Sequence, residues 1–595
     1  MHQFRTTADD ASLVGELSAD GQTIVLIATG PDYVMARMAN WLRTLTPAFK
    51  TSDPPGALVV PATWPAVVQL AHTFADYWRP GPRLTAWIGE QLVRRTQIPA
   101  ELTVTLPAGR VPRPYQVEGA RMIAATGRAL LTDEQGTGKT VTTVLGLLER
   151  ARVGQVLPVV CVVPGSVVDA WVQTWHDWAP SWRAVAWRGT PAKRRKLAGT
   201  ADVYVTSFDT ARMDAAGPGD PLLALRPAAL VVDEVHLIKS PHAARSLAVR
   251  RLAKQADVVV GLSGTPITHH PGDLWPTLEA LEPAAYPSRT RWVDRYCLKI
   301  PGDYGEQVVG LRRSHEPELR ACLLGQLRRV AKADVLDQLP PKVYSTRTVE
   351  LPPAYRKAYD QMESQMLAEL PDGGQLSAMS VLAQLTRLAQ LAAAAADVTV
   401  TVEEGDDGLP RQHVHVRLKA PSWKVDALLE VLAERPGQPV VAFAPSRQLM
   451  MLAGKAAEAA GHQVGYIIGG QTVPERSETV AAFQAGKLDL LCVTTQAGGV
   501  GLTLTAAGTV VFLQRPWSIV EAIQAEDRCH RIGSEIHDCI EVIDIVAADT
   551  IDARVRSVLH DKAGQLADLL QDPRIVRELL GGSARKAQRK KGGKP

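Results

Sequence analysis

Two series of short, β-branched apolar runs set the architecture open to this 595-residue chain. The first comprises Leu130–Thr132, Pro158–Val163, Val203–Ser207, Ala229–Asp233 and Val258–Leu262. The second comprises Val440–Phe443, Val464–Ile468, Leu488–Thr494, Val510–Leu513 and Ile540–Val546. Near-continuous apolar strands alternating with helix-length segments are buried on both faces, which parallel sheets covered by helices achieve. The reading is therefore α/β, with one lobe at 106–275 and a second at 420–575. Between them, 276–419 reads as mostly helical, for example at Pro353–Leu370 and Ser377–Ala395. One piece differs: Val398, Val400 and Val402, then Val414, Val416 and Leu418, alternate with polar residues around an acidic, glycine-containing turn, predicting a hairpin at 397–418. Residues 1–105 hold Trp41, Trp64, Trp78 and Trp87 and are expected to form a small α/β accessory domain.

Composition excludes several classes. At 46% hydrophobic and 22% charged residues the chain can bury real cores, so wholesale disorder is excluded. Its six cysteines form no CxxC pair, which argues against a disulfide scaffold or thiolate zinc site and for a reducing compartment. The start lacks the basic-then-apolar pattern of a secretory signal, and no apolar run approaches the roughly 20 residues of a membrane span. A cytoplasmic location and no membrane partner are expected. Abundant alanine, with arginine outnumbering lysine, points to a high-GC genome, bacterial or phage. The net charge of +4 is small for the length, but Arg585, Lys586, Arg589, Lys590, Lys591 and Lys594 crowd the 576–595 tail. Such a tail is a solvated segment that can add non-specific phosphate affinity.

The sharpest local chemistry is Asp133-Glu134-Gln135-Gly136-Thr137-Gly138-Lys139-Thr140, between a strand and an apolar helix. Glycines let backbone N–H groups face phosphate oxygens, and the helix N-terminus adds partial positive charge. Lys139 then reaches the β/γ-phosphates and Thr140 ligates Mg²⁺. The strict phosphate-loop pattern fails at one place, where Asp133 replaces the first glycine. At the end of another strand, Asp233 is placed to hold Mg²⁺ and Glu234 to polarise the attacking water.

From Arg113 to Ile551 the motifs resemble the Swi/Snf-type branch of the superfamily-two helicase-like ATPases. The resemblance implies two RecA-like lobes, ATP and Mg²⁺, and a duplex or branched DNA partner. Arg113 through Gly119 is similar to the family's adenine-reading segment, which assigns Arg113 to the ATP site and gives both ends of the Gln116 amide to the adenine edge. The family carries Asp at the position of Asp133, which accounts for the broken pattern and puts Asp133, Gly136, Thr137, Gly138, Lys139 and Thr140 in the ATP site. Pro164 and Ser207 fall in its DNA-contacting motifs, and Ser263-Gly264-Thr265 in its coupling segment. Arg328-Arg329 through Asp334-Val335, followed by Leu339-Pro340-Pro341-Lys342, is characteristic of the branch. In the second lobe, Thr495 and Gln496 match DNA-contacting positions, Gly499 and Gly501 a coupling loop, and Gln524 through Gly533 the closing signature. Arg528 and Arg531, three apart and so expected on one helical face, can fork toward the γ-phosphate. The chain departs from the family at Gln496, Thr503, Gln514 and Ser534, which puts DNA contact or coupling in question and leaves the nucleotide residues intact.

These residues predict a DNA-dependent ATPase that translocates on duplex DNA, in a replication, repair or recombination setting and alongside proteins of those processes. Two rivals stay open: a strand-separating DNA or RNA helicase, with the 397–418 hairpin as wedge, and a nucleic-acid-binding scaffold with vestigial ATPase. Other features read as structural: His269 and His270 as turn residues rather than a metal pair, Lys193 to Lys196 as a solvated face, Trp517 as packing rather than base stacking, and Cys492, Cys529 and Cys539 as plain thiols.

Overall fold

A computed structural model describes residues 12–30, 36, 49–50, 57–75, 77–97, 101–264, 266, 271–302, 305–336, 338–365, 367–369, 375–377, 381–404, 410–496, 502–531 and 533–556. The chain divides into two compact units, Met1–Ala331 and Lys332–Pro595. No helix among the described residues is long and apolar enough to cross a membrane.

The first unit opens with β1 (Ser12–Leu17), β2 (Thr23–Thr29), β3 (Phe49–Lys50), β4 (Leu58–Pro61) and β5 (Trp78–Pro80), in the order β3-β4-β2-β1-β5. Alternation puts Leu13, Ile24, Leu26 and Val60 on one face, where Val67, Leu70 and Phe74 of helix Trp64–Phe74 and Leu84 of helix Pro82–Thr96 cover them. This accessory region does not stand apart. Gln69 Nε2 donates to Tyr296 OH (3.0 Å), and Trp64 Nε1 to Ala321 O (2.8 Å). Both acceptors lie in the span expected to be an inter-lobe insertion.

The main sheet of this unit contains β6 (Arg128–Leu131), β7 (Val159–Val163), β8 (Ala184–Ala186), β9 (Val203–Ser207), β10 (Ala229–Asp233) and β11 (Val258–Leu262). A hairpin, β12 (Cys297–Gly302) with β13 (Gly305–Leu311), precedes β14 (Leu327–Arg328), which joins the main sheet at its edge. The order is β14-β6-β11-β10-β7-β9-β8, and every pairing is parallel. All strand C-termini therefore share one edge, where parallel α/β sheets bind their ligands.

The second unit begins with β15 (Lys342–Val349), then a short pair, β16 (Leu367–Glu369) and β17 (Gln375–Ser377). The hairpin expected at 397–418 is β18 (Ala395–Glu404) with β19 (Pro410–Lys419), Val398 opposite Val416. Then come β20 (Val440–Ala444), β21 (Val464–Ile467), β22 (Leu490–Thr494), β23 (Thr509–Phe512) and β24 (Ile540–Ala547). The all-parallel order β15-β24-β23-β20-β22-β21 closes over Phe443, Phe483, Phe512 and Val542.

The 276–419 span differs from its mostly helical reading. Helices such as Arg289–Tyr296, Glu316–Cys322, Pro353–Gln365 and Val381–Leu391 are interleaved with strands, and β14 and β15 give edge strands to the two main sheets. An edge strand is covered on fewer sides, so neither carries the continuous apolar run that announces a central strand.

Candidate active site

The C-terminal edge of the first main sheet gathers most of the predicted residues. After β6 the chain turns through Gly136 (φ +83°) and Gly138 (φ +81°), left-handed conformations that glycine adopts without a Cβ penalty, and enters helix Lys139–Arg150. The residues fit a polyphosphate. The loop lies tight against helix Pro114–Thr126, since a Cβ on Gly138 would meet Gln116 Nε2 at 2.4 Å. Lys139 Nζ rests on the loop's own carbonyls, donating to Asp133 O (2.7 Å) and Glu134 O (3.1 Å). Thr140 follows at the helix start, and its hydroxyl with the Asp233 carboxylate offers the hard oxygen donors that Mg²⁺ prefers.

Gln116 differs from the adenine-reading expectation. Its Oε1 accepts from Arg113 N (3.0 Å), capping the helix, and its Nε2 donates to Thr137 O (3.1 Å). Tyr115 OH donates to the same carbonyl (3.0 Å). Gln116 Nε2 and the Tyr115 hydroxyl thus clamp the loop, while Gln116 Oε1 holds the Arg113 backbone. The Asp133 side chain lies under the loop with 1% exposure, 3.7 Å from the Arg328 guanidinium. Burial raises its pKa against the pull of Arg328 and Lys139.

Asp233 ends β10. Its Oδ2 accepts from Trp171 Nε1 (2.9 Å) and its Oδ1 from Glu234 N (2.9 Å). Burial, then the charge of Glu234, push Asp233 up to about 6. Glu234 sits at φ +48°, ψ 50°, a costly left-handed conformation for a non-glycine residue and of the kind found at functional sites. Its Oε1 accepts from Gln135 Nε2 (3.2 Å) and its Oε2 lies 3.2 Å from His236 Nδ1. Burial works to raise this carboxyl, but His236, Lys139 and Gln135 hold it below the usual glutamate range. His236 Nδ1 is also 2.9 Å from Ser263 Oγ, and Gly264 lies against Gln135, where a Cβ would meet Cγ at 3.1 Å. Phosphate loop, acidic pair and coupling segment are therefore in continuous contact. The sequence reading missed Gln135, His236 and Trp171. Gln135 and His236 lie within the motifs themselves, whereas Trp171 carries no mark of its partner 62 residues away.

Pro164 follows β7 and Ser207 ends the neighbouring strand β9, and the two positions lie together, a Cβ on Gly165 being 3.8 Å from Ser207 Cβ. Ser207 Oγ caps helix Phe208–Asp214 by accepting from Thr210 N (3.2 Å). Of the Lys193 to Lys196 run, Arg194 turns inward to Asp214 (2.6 Å) and the other three are exposed.

In the second unit the closing signature separates into anchors and unpaired groups. Asp527 lies between Lys332 Nζ (2.9 Å) and Lys342 Nζ (3.1 Å), which hold its carboxyl far below the usual range although burial opposes them. Glu526 accepts from Tyr344 OH (2.9 Å) and Arg515 (3.0 Å), while His530 Nε2 is 2.9 Å from Pro340 O. By contrast, Gln524 Nε2, Arg528 Nη1 and Thr495 Oγ1 are buried without a hydrogen-bond partner. Arg528 lies over the Phe443 ring (5.8 Å), and burial lowers it to about 10. Arg531 donates to Leu502 O (3.3 Å). The two arginines do not share a helical face: the helix ends at Glu526, and they sit on the turns that follow. Gln496 is exposed just beyond β22. Trp517 corrects the packing expectation, for it is 49% exposed on the turn before Ser518 caps helix Ile519–Glu526. Cys492 and Cys529 are buried free thiols and Cys539 is half-buried. Thr265, His269, His270, Gly499, Gly501 and the 576–595 tail lie outside the described residues.

Comparison with known proteins agrees with this layout. The SNF2-related domain matches residues 91–395, and the helicase conserved C-terminal domain residues 423–533. The TATA-binding protein-associated factor mot1 of Aspergillus fumigatus is 28% identical over 511 residues, covering 76% of this chain and 26% of its own. The DNA annealing helicase and endonuclease ZRANB3 of Mus musculus is 27% identical over 495 residues, 81% of this chain and 42% of its own. The chain thus spans about a quarter to two fifths of the length of these relatives. The Sulfolobus solfataricus SWI2/SNF2 ATPase core in complex with dsDNA aligns over 80% of this chain and 99% of its own, at 19% identity and a TM-score of 0.37, so the fold assignment rests on the sheet orders above. With half of its residues inside the SNF2-related match and the helicase C-terminal match following in order, the chain belongs to the SNF2-related family.

Proposed function

We propose that this protein hydrolyses ATP and couples turnover to translocation along duplex DNA, acting on forks or branches in replication, repair or recombination. The observation that carries this reading is the continuous contact from Gln135 through Glu234 and His236 to Ser263, which joins the residues that would bind and cleave the nucleotide to the coupling segment. Mg²⁺, held by Thr140 and Asp233, would neutralise phosphate charge. Lys139 exchanges the loop carbonyls for β/γ-phosphate oxygens. Glu234 orients the attacking water and takes its proton. Arg528 and Arg531 supply charge to the transferring phosphoryl group, a role worth about 10³–10⁵ in rate in comparable enzymes.

For DNA, the positions Pro164, Ser207, Thr495 and Gln496 are assigned to the phosphate backbone. Low sequence specificity and a steep salt dependence follow. Similarity to the DNA annealing helicase and endonuclease ZRANB3 and to an uncharacterized ATP-dependent helicase of Mycoplasma genitalium supports the class. The hairpin β18–β19 favours a second reading, strand separation, in which it acts as a wedge.

The deciding experiment measures ATP hydrolysis with no polymer, single-stranded DNA, duplex DNA, forked DNA and RNA, with Lys139→Ala as control. Stimulation by duplex or forked DNA that the control abolishes is expected, together with displacement of a third strand from a triplex. Unwinding of a forked duplex would favour the second reading. Absence of stimulation by every polymer would overturn both and return the chain to a scaffold.

A further inference from the structure

The accessory region and the phosphate loop are joined by one short run of chain. At and just past the end of helix Glu316–Cys322 the accessory region adds side-chain donors: Ala321 O already accepts from Leu324 N (3.3 Å) and takes a second bond from the accessory region, which also reaches the carbonyl of Leu324. Trp64 Nε1 reaches Ala321 O (2.8 Å), and Arg95 Nη1 reaches Leu324 O (2.8 Å). Arg95 is 9% exposed, lies over the Trp64 ring (5.2 Å) and covers Gly325 closely. At φ +71° that glycine has no room for a side chain, since a Cβ would meet Arg95 Cβ at 2.7 Å and its Cα at 2.8 Å.

From this point the run passes directly along the phosphate-loop strand. Gln326 O accepts from Leu130 N (2.7 Å), Arg328 O from Thr132 N (2.7 Å), and Val330 O from Glu134 N (2.9 Å). Thr132 Oγ1 adds a second bond to Arg328 O (2.7 Å). The side chains reinforce the seam: Arg328 lies 3.7 Å from Asp133, and Arg329 Nη1 donates to Thr132 O and Gly264 O, each at 3.4 Å. The carbonyls of Asp133 and Glu134 in turn carry Lys139 Nζ. The strand in this run, β14, is two residues long and has β6 as its one neighbour in the sheet. A short edge strand holds little stability of its own, so its position depends on what fixes its ends.

We propose that Arg95 is a positioning residue for the phosphate loop, acting through the 324–330 run, which serves as a strut between the accessory region and the nucleotide site. Its consequence for nucleotide binding rests on the reading given under Proposed function; the strut itself does not. The test uses the full-length protein and two readouts, backbone amide exchange without nucleotide and the affinity for Mg-ADP. In Arg95→Ala, exchange at Leu130, Thr132 and Glu134 rises and Mg-ADP binding weakens roughly two- to tenfold. Arg95→Lys restores part of both. Trp64→Phe, which keeps the ring and loses the donor, gives a smaller change in the same direction. Arg79→Ala, an exposed arginine that donates to Trp78 O within the accessory sheet, leaves both readouts as in the parent.

Faster exchange in helix Pro82–Thr96 with unchanged exchange at Leu130–Glu134 would overturn the proposal, because the contact would then be packing that the phosphate loop does not feel. If the parent itself failed to bind Mg-ADP, the nucleotide reading would fall and the exchange result would still decide the strut. Should Arg95→Ala prove insoluble, Arg95→Lys and Trp64→Phe decide it by the same readouts.

Discussion

Asp527→Asn tests whether the second-lobe signature is an anchor as well as a source of catalytic charge. The Asp527 carboxylate is 7% exposed and faces two ammonium groups, at 2.9 and 3.1 Å, whose side chains are themselves 3% and 4% exposed. Removing one member of a buried charge cluster typically costs about 3–5 kcal/mol, and an isosteric amide that keeps a hydrogen bond belongs at about 3. For a unit of this size roughly 2–4 °C of Tm accompanies each kcal/mol, so the second-unit transition should fall by about 6–12 °C in calorimetry. The pH dependence sharpens the test. A carboxyl whose folded pKa lies below its ordinary 3.8 contributes stability that is fully present above that value and lost as pH falls through the folded pKa. The gap between parent and variant should therefore stay constant from pH 5 to pH 8 and narrow only below pH 4. A gap under about 1 °C, or one that changes across pH 5–8, would refute the reasoning. Arg528 is the next residue, so turnover should fall along with stability.

Glu234→Gln retains the contact with Gln135 but loses the proton acceptor, so turnover should drop by about 10²–10⁴ with Mg-ADP affinity near the parent's, as steady-state kinetics and titration calorimetry would show. Arg528→Ala separates catalysis from structure: it removes a buried charge with an unpaired Nη1, so the thermal transition should hold or rise while turnover collapses, whereas a structural arginine would lose stability. Gly138→Ala forces a Cβ to 2.4 Å from Gln116 Nε2 at φ +81°, and should cost about 1–2 kcal/mol in chemical denaturation and weaken Mg-ADP binding. Trp171→Phe removes the donor to Asp233 Oδ2, and a raised Mg²⁺ requirement in the ATPase assay is the expected result.

Much of this was legible in the chain alone because it is local. The phosphate loop, the Asp233-Glu234 pair and the central strands are each written in a few consecutive residues, and parallel strands buried on both faces need the unbroken apolar runs that reveal them. The hairpin at Val398 and Val416 was legible through its period-two alternation. The helical face assigned to Arg528 and Arg531 failed because spacing says where two residues would meet if a helix continued, and the helix stops at Glu526.

What the tertiary structure decided is how those motifs are held. Thr132 and Arg328 are 196 residues apart, and nothing near either announces the bond between them. Gln116 clamps the loop because helix Pro114–Thr126 packs against it, and Trp517 is exposed because of the turn that carries it. The chemistry of a motif depends on which atoms stand side by side in sequence. Its charge state, strain and anchoring depend on groups that meet only once distant segments have packed, as Asp233 shows, raised to about 6 by burial beside Glu234.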